Sequence, residues 1–89
     1  MRGKFITVEG SDGSGKTTFI NFLTQYLKDN GYKVITTREP GGTEFSEKVR
    51  ELLFDKTYEI DAKTESLLFC VSRRDHIIKK IIPYVEDGY

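Results

Sequence analysis

Apolar residues form two kinds of pattern in this chain, short dense runs and longer helical stripes. The dense runs, 4–9 and 33–37, are rich in β-branched and aromatic residues and predict two β-strands. Three other segments repeat their apolar residues at helical intervals, and each predicts an amphipathic helix with one buried face. The residues expected to be buried are Phe19, Ile20, Leu23, Tyr26 and Leu27, then Phe45, Val49, Leu52 and Leu53, and finally Leu67, Leu68, Val71, Ile77, Ile78, Ile81, Ile82 and Val85.

Residues typical of helix ends flank these stripes. Gly31 follows the first stripe and suits the turn after a helix, and Thr43 can cap the second helix. The third helix is expected to start near Ala62, after a polar connection at 55–61. Its stripe is interrupted by polar residues at 72–76, and Pro83 is expected to kink or end it because proline lacks a backbone donor.

The order of these elements predicts the fold class. Strand, helix and strand form one βαβ crossover with parallel strands. The expected architecture is therefore α/β, a three-layer αβα sandwich on a parallel sheet. Such sheets need several strands, whereas 89 residues provide two and the possible start of a third after Gly88. We therefore expect residues 1–89 to be the incomplete N-terminal part of a single larger domain.

Composition excludes several classes of protein. The chain is 37% hydrophobic and 31% charged, which is typical of a globular protein. Its 14 basic and 14 acidic residues balance, so no net charge attracts nucleic acid or an anionic membrane. The apolar run at 5–8 is too short for a signal sequence or a membrane span. The one cysteine, Cys70, excludes an internal disulfide, fits a reducing cytoplasm and is expected to pack within its apolar helix.

The segment between the first strand and the first helix carries the clearest chemistry. It reads Gly10-Ser11-Asp12-Gly13-Ser14-Gly15-Lys16-Thr17 and matches the phosphate-binding pattern G-x-x-x-x-G-K-[ST]. Its glycines allow close approach of backbone and positive φ, so successive N–H groups can surround a phosphate at the helix N-terminus. We expect Lys16 to bind the β- and γ-phosphates of a nucleoside triphosphate and Thr17 to ligate Mg²⁺. Thr18, in the first helical turn, is a further candidate contact to the α-phosphate.

Four arginines outside this loop are candidates for recognising a substrate. Arg38 lies at the carboxyl end of the second predicted strand, where open α/β sheets bind ligands. Arg73 follows Phe69 by four residues and shares its helix face, so ring and guanidinium could stack on and hydrogen-bond a planar base. That pair suggests a second nucleotide pocket. Considered singly, Arg38, Arg50, Arg73 and Arg74 also fit solvated positions, and Phe69 fits an ordinary core.

Three segments together resemble bacterial thymidylate kinases. Residues 9–18 read EGSDGSGKTT, residues 37–42 read TREPGG, and residues 65–69 and 72–76 read ESLLF and SRRDH. The first segment is common to many phosphate-loop proteins, whereas the others, in this order and spacing, are specific to the family. The resemblance extends over the whole chain. It implies a P-loop nucleoside-monophosphate-kinase fold, transfer of the γ-phosphoryl group from ATP to dTMP with Mg²⁺ to give dTDP, and a homodimer.

The resemblance also implies roles for individual residues. Lys16 and Arg38 would neutralise the transferred phosphoryl group, and Arg38 and Arg50 would hold the 5′-phosphate of dTMP. Glu39 would help organise the Mg²⁺ and phosphate surroundings. Phe69 would stack on the thymine ring.

Two further roles and one backbone feature follow from the same resemblance. Arg73 would hydrogen-bond the thymine, and Asp12 would lie near the sugar of the acceptor nucleotide. Pro40 would occupy a tight turn after the second strand, and a cis Glu39–Pro40 peptide is compatible with it.

The chain departs from the family at one loop position. Some members carry an arginine directly after the acidic loop residue, where this chain has Gly13, and members without it use arginines from a mobile lid. No lid precedes Tyr89, so we expect the 89 residues alone to be inactive or nearly so. Three alternatives stay open: another nucleoside monophosphate kinase, a non-catalytic nucleotide-binding module, and a structural fragment that forms dimers.

Overall fold

The structure is a computed structural model that describes residues 2–11 and 13–89. Its elements in chain order are helix α1 (Lys16–Asp29), α2 (Glu44–Phe54), α3 (Ala62–His76), a π-helical turn (Ile77–Ile81) and α4 (Ile82–Glu86). The chain divides into two compact units. One consists of residues up to 36 together with 84–89, and the other is Thr37–Pro83. Within the described residues, no helix has the length and apolar character needed to cross a membrane.

The helices lie where the apolar stripes predict them, and polar caps fix two of the starts. The Thr43 hydroxyl accepts a hydrogen bond from the N–H of Ser46 at 3.0 Å, as expected for the cap of α2. The Asp61 carboxylate does the same for Thr64 at the start of α3, also at 3.0 Å. After α1, Gly31 adopts a φ of +84°, the left-handed conformation that favours glycine at this position.

The two predicted β-strands, 4–9 and 33–37, are not strands here, and residues 2–11 and 13–89 contain none. A strand needs a neighbouring strand to pair with its backbone. Next to the first segment, the backbone donors bond elsewhere within the same unit: the N–H of Gly3 donates to the carbonyl of Val85 at 2.7 Å, and that of Lys4 to Tyr89 at 3.0 Å. These two segments are therefore unpaired in this structure, because β-forming composition does not by itself supply a pairing partner, and the sheet stays a prediction.

Pro83 does not end the third helical run, contrary to one of the two expected outcomes. Helix α4 continues through it to Glu86. A proline in a helix collides with the carbonyl four residues earlier, which here belongs to Lys79. Lys79 lies in the π-helical turn, whose wider geometry relaxes the α-helical spacing at this point. The chain therefore accommodates the proline by widening the preceding turn.

The predicted apolar faces are much less buried than their periodicity implies. No residue of α1 is buried, and Tyr26 is 55% exposed. In α2 the only buried apolar residue is Val49, at 4% exposure, whereas α3 leaves Leu67 68% exposed. Cys70, expected to pack, is also exposed. Two helices packed on each other cover only their facing sides, so apolar residues that point elsewhere need further elements to bury them.

The interior of the second unit is polar. Ser46 of α2 and Ser72 and His76 of α3 are buried, and all their buried side-chain nitrogen and oxygen atoms have hydrogen-bond partners. The Ser46 hydroxyl donates to the backbone carbonyl of Ser72 at 2.7 Å and joins the two helices. This interior lies against the connection 37–43, with Pro40 and Gly41 buried beside it. The buried residues of this unit thus include the two that directly follow Arg38 and Glu39 in the chain.

Candidate functional site

The phosphate-type loop forms an open pocket at the start of α1. Gly13 and Gly15 have φ values of +80° and +85°, so the positive φ anticipated for these glycines is present. Gly15 precedes α1 without any side-chain cap, and the first turn of α1 contains no acidic residue. The first N–H groups and the positive end of the helix dipole are therefore not compensated by a side chain of the helix, which favours an anion there.

The pocket measures about 380 Å³ and brings together six of the predicted phosphate-binding residues. They are Ser11, Gly13, Gly15, Lys16, Thr17 and Thr18. Gly10 lies under the loop: the Lys16 ammonium donates to its carbonyl at 3.0 Å, and a Cβ at Gly10 would approach the Ser14 hydroxyl to 2.7 Å. Asp12 is outside the described residues. Backbone groups, the Lys16 side chain and the three hydroxyl residues Ser11, Thr17 and Thr18 thus line one open pocket.

In the second unit, the turn at 39–42 is held by both neighbouring helices. The Glu39–Pro40 peptide is cis. The N–H of Gly41 donates to the Ser72 hydroxyl at 3.1 Å, and the N–H of Gly42 donates to the Glu47 carboxylate at 2.8 Å. A Cβ on Gly41 would overlap the Glu47 carboxylate, so the two glycines of the TREPGG segment also provide close packing.

Arg38 is anchored by Glu47 of α2. Its Nη2 donates to Glu47 Oε1 at 2.5 Å, and its Nε lies 3.4 Å from Oε2. The hydrogen bond from Arg38, helped by the Gly42 N–H, lowers the pKa of Glu47 to about 2. Glu47 therefore stays ionised at neutral pH and holds the guanidinium beside the turn.

Glu39 is bound by two residues of α3. Arg73 Nε donates to Glu39 Oε1 at 2.8 Å, and His76 Nδ1 lies 2.9 Å from Oε2. Burial raises the pKa of Glu39, but the hydrogen bonds from His76 and Arg73 outweigh it, so the net shift is downward. In this structure the carboxylate predicted to organise Mg²⁺ and phosphate therefore uses both oxygens to hold α3.

The remaining acceptor-side candidates lie around the same turn. Arg50 of α2 donates from Nη1 to the carbonyl of Pro40 at 2.9 Å, and its guanidinium lies 4.9 Å from the ring centre of Phe54. Phe69 is half-buried on α3, one helical turn before Arg73. Of the five predicted residues of this unit, Glu39 is part of the turn, and Arg38, Arg50 and Arg73 bond directly to the turn or to a carboxylate that contacts it.

The sequence analysis did not assign roles to five polar residues whose hydrogen bonds hold this site together. Thr37, Ser46, Glu47, Ser72 and His76 all hydrogen-bond within it. Four of them carry a signal in the pattern: Thr37, Ser72 and His76 lie in the segments specific to thymidylate kinases, and Ser46 lies one residue after Phe45, inside an apolar stripe. Polar residues at core-facing helical positions are rare unless they are paired, and this could have identified them.

A glycine-rich loop that opens a pocket at a helix N-terminus, with a lysine and threonine at the first two helical positions, defines a P-loop nucleotide-binding protein. The particular family follows from comparison with known proteins. A sequence model described as "Thymidylate kinase" matches residues 8–89. This chain belongs to the thymidylate kinase family.

Individual relatives agree with this assignment. The chain is 54% identical over all 89 residues to the thymidylate kinase of Caldicellulosiruptor saccharolyticus, and 51% identical over 88 residues to that of Shouchella clausii. A crystal structure of thymidylate kinase from Ehrlichia chaffeensis superposes with a TM-score of 0.77 at 44% identity, covering 90% of this chain and 46% of that one. The fold is therefore that of a P-loop nucleoside monophosphate kinase. The chain spans 43% and 41% of the length of the two curated relatives.

Proposed function

We propose that this chain supplies the phosphate loop and the acceptor-side residues of an enzyme that transfers the γ-phosphoryl group of ATP to dTMP, giving dTDP. The observation that carries the proposal is the open pocket at the N-terminus of α1, lined by Lys16 and Thr17, in a member of the thymidylate kinase family. Relatives named thymidylate kinase, each more than twice as long, support the reaction assigned here.

On the donor side, the chain's own groups bind and neutralise phosphate. The loop N–H groups and the N-terminus of α1 hold the triphosphate, and Ser11, Ser14 and Thr18 surround it with hydroxyls. The Lys16 ammonium moves from the Gly10 carbonyl to the β- and γ-phosphates, a short displacement for a flexible side chain. Charge neutralisation and positioning provide the catalysis, since phosphoryl transfer of this type needs no covalent enzyme intermediate.

The residues at the start of α1 suit a magnesium ion bound together with ATP. Mg²⁺ prefers oxygen ligands and is usually held by few protein groups plus substrate phosphates. The Thr17 hydroxyl lines the same pocket as Lys16 and can serve as that protein ligand. When bound, the ion neutralises charge on the β- and γ-phosphate oxygens.

On the acceptor side, Arg38 and Arg50 bind the 5′-phosphate of dTMP. Phe69 stacks on the thymine and Arg73 hydrogen-bonds it, while Asp12 approaches the sugar. The two arginines are supported in these roles by their contacts around the turn at 39–42, which hold both guanidinium groups at one place. The acceptor phosphate is ionised near neutral pH, so the reaction requires no strong general base.

The proposal also covers the sheet, the oligomeric state and the cellular location of the whole enzyme. Segments 4–9 and 33–37 become parallel strands of a three-layer sandwich once neighbouring strands are present, because their composition favours pairing. The enzyme is a homodimer, as its resemblance to the family implies. It works in the cytoplasm, which fits a chain with a single cysteine.

A chimera tests the proposal directly. These 89 residues replace the matching N-terminal part of the Caldicellulosiruptor saccharolyticus enzyme, to which they are 54% identical. We expect the chimera to phosphorylate dTMP with ATP and Mg²⁺, and to prefer dTMP over dUMP and other monophosphates. The 89-residue chain alone should give no turnover or almost none. A correctly folded chimera without activity, or one that prefers another monophosphate, would contradict the assignment.

A further inference from the structure

His76 is buried with both ring nitrogens engaged. It is the single histidine of the chain and only 1% exposed. Its Nδ1 lies 2.9 Å from Glu39 Oε2 and its Nε2 lies 2.7 Å from the Thr37 hydroxyl. A Cβ on Gly42 would come within 2.4 Å of the ring, so the ring is packed closely against the turn. The imidazole therefore has one orientation and two fixed partners.

The partners determine where the ring proton lies. The lowered pKa of Glu39 keeps it an ionised carboxylate, which only accepts hydrogen bonds, so His76 Nδ1 must donate. The Thr37 hydroxyl lies 2.7 Å from Nε2 and can donate to an unprotonated Nε2 or accept from a protonated one. Thr37, His76 and Glu39 thus form one continuous chain of hydrogen bonds, in which His76 Nδ1 donates to Glu39.

The chain of hydrogen bonds continues to Arg73, the residue proposed to hydrogen-bond the thymine base. Glu39 gives one carboxylate oxygen to His76 and the other to Arg73 Nε, at 2.8 Å. Because the carboxylate is held on one side by a buried ring, its second oxygen has a fixed position. A guanidinium bound through Nε to a fixed oxygen is restricted in both place and plane.

We propose that His76 and Thr37 are positioning residues of the acceptor-nucleotide site, acting through Glu39 to orient Arg73 for the base of dTMP. This rests on the proposed function, since it assumes that Arg73 meets the acceptor base. Nothing in it requires His76 or Thr37 to touch the substrate. Their effect is to help preorganise Arg73 before the nucleotide binds.

Two substitutions of His76 separate positioning from packing. His76→Asn places an amide nitrogen near the site of Nδ1 and can still donate to Glu39. His76→Gln places its amide near Nε2, at Thr37, and loses that donation. Both remove the imidazole from the same buried site, so a purely structural role predicts parallel losses of melting temperature and of ligand binding.

We expect His76→Gln to weaken dTMP binding by the chimera about tenfold, the usual effect of losing a hydrogen bond to a charged group. His76→Asn should stay within about threefold of wild type. Binding of ATP with Mg²⁺ serves as the internal control and should be unchanged in both variants. Titration calorimetry with each nucleotide, beside thermal unfolding of each variant, gives these comparisons.

A double-mutant cycle tests whether His76 acts through Arg73. Arg73→Gln should weaken dTMP binding, and adding His76→Gln should weaken it little further, because both changes remove the same interaction. Lys63→Gln, which removes an exposed cation near the start of the same helix, is the matched control and should leave dTMP binding unchanged. Additive losses in the double variant would overturn the proposal.

The single histidine also gives a spectroscopic signature. With ¹⁵N-labelled histidine, the unliganded chain should display a protonated Nδ1, and Thr37→Val should alter the Nε2 resonance. An unprotonated Nδ1 would overturn the inference. If the unsubstituted chimera fails to bind dTMP, the proposed function falls together with the inference. If the unsubstituted chimera binds dTMP and its His76→Gln variant binds it equally well, the inference alone falls.

Discussion

Single carboxylates hold two arginines of the candidate site, Arg38 and Arg73. Glu47 holds Arg38 through two of its nitrogens and also accepts the N–H of Gly42, while Glu39 holds Arg73. In both cases a short acidic side chain restrains a long cation before any ligand is present, which lowers the entropy lost when phosphate or base is bound. Charge at this site is therefore arranged in pairs rather than as a uniform basic patch.

Glu47 makes the stability of the chain depend on pH. Its pKa is about 2 in the folded chain, against 4.5 for an unperturbed glutamate, so its ionic contacts stabilise the fold above pH 4.5 and lose this effect as pH falls toward 2. We expect Glu47→Gln to lower the free energy of unfolding at neutral pH and to differ progressively less from wild type between pH 4.5 and pH 2. Denaturant titrations at several pH values measure this difference.

The matched control for this prediction is Glu51→Gln on the same helix. Glu51 lies 3.7 Å from Lys48 in an exposed pair, which contributes little to stability. The Glu51→Gln substitution should therefore change the free energy of unfolding only slightly at any of these pH values. A constant difference between Glu47→Gln and wild type across the acid range would contradict the role given to Glu47.

Lys16 is the residue whose removal should affect the chemical step most. In the chimera, Lys16→Met should lower kcat by about a hundredfold or more, the usual effect of removing one group that stabilises charge in the transition state. The KM for dTMP should change only modestly, because Lys16 is assigned to the donor phosphates. Lys28→Met, an exposed lysine at the other end of α1, is the control. Steady-state kinetics that retain the kcat would show that Lys16 is not the cation of the transition state.

At the scale of elements, the candidate site is organised around the connection 37–43, against which both α2 and α3 pack. Its backbone bonds to Ser72 of α3 and Glu47 of α2, and Lys80 from the π-helical turn donates to the carbonyl of Gly42 at 3.0 Å. Three elements thus meet at a turn of two glycines, where any added carbon atom displaces a functional side chain. This is why polar residues, rather than apolar ones, fill the interface of α2 and α3.

Two glycines with positive φ allow backbone strain to be separated from crowding. Gly31 has open space around it at φ +84°, whereas a Cβ on Gly42, at φ +98°, would meet the His76 ring at 2.4 Å and the Thr37 hydroxyl at 2.6 Å. Gly31→Ala should cost about 1 kcal/mol of stability, from the left-handed backbone alone. Gly42→Ala should cost roughly 1–3 kcal/mol more, because it also overpacks the site.

Thermal and denaturant unfolding of both variants measure these costs. The Gly42 variant should in addition disturb the ¹⁵N resonances of His76, while the Gly31 variant should leave them unchanged. Equal destabilisation of the two variants would mean that the turn can move away from His76, and that the close packing described for it does not constrain the site.

Seen as a whole molecule, the chain has little apolar core. Val49 is its one buried hydrophobic residue among those described, whereas large side chains such as Phe22, at 70% exposure, and Leu67 face outward. Apolar area removed from water is the main stabilising contribution in folded domains. Most of the stabilisation encoded in the apolar stripes of α1 and α3 is therefore not realised within these 89 residues.

This exposure has a measurable consequence. We expect the isolated chain to bind a hydrophobic dye such as ANS and to raise its fluorescence at neutral pH, since large exposed apolar patches bind such probes. The chimera, which adds the remaining part of a related kinase, should raise the fluorescence much less at equal concentration. Equal dye binding by the chain and the chimera would show that these faces are not buried by the rest of such a fold.

The sequence by itself determined what depends on local pattern. The helical stripes placed α1, α2 and the start of α3, Thr43 identified a cap, and the G-x-x-x-x-G-K-T spacing identified the loop at the N-terminus of α1. These features succeed because a helix, its cap and a phosphate loop are built from residues close together in the chain. The segments TREPGG and SRRDH likewise indicated the family that the comparison with known proteins established.

Tertiary structure alone decided which residues meet. Pairing of segments 4–9 and 33–37 depends on neighbours that periodicity cannot supply, so their pairing as strands stays a prediction. The contacts of Glu39 with His76 and of Thr37 with the same ring span 37 and 39 residues of sequence. Such contacts form only when a turn and a helix pack together, and their energy depends on distance and burial rather than on residue type. The sequence therefore identified the candidate arginines, whereas the tertiary structure determined which carboxylate or backbone carbonyl binds each of them.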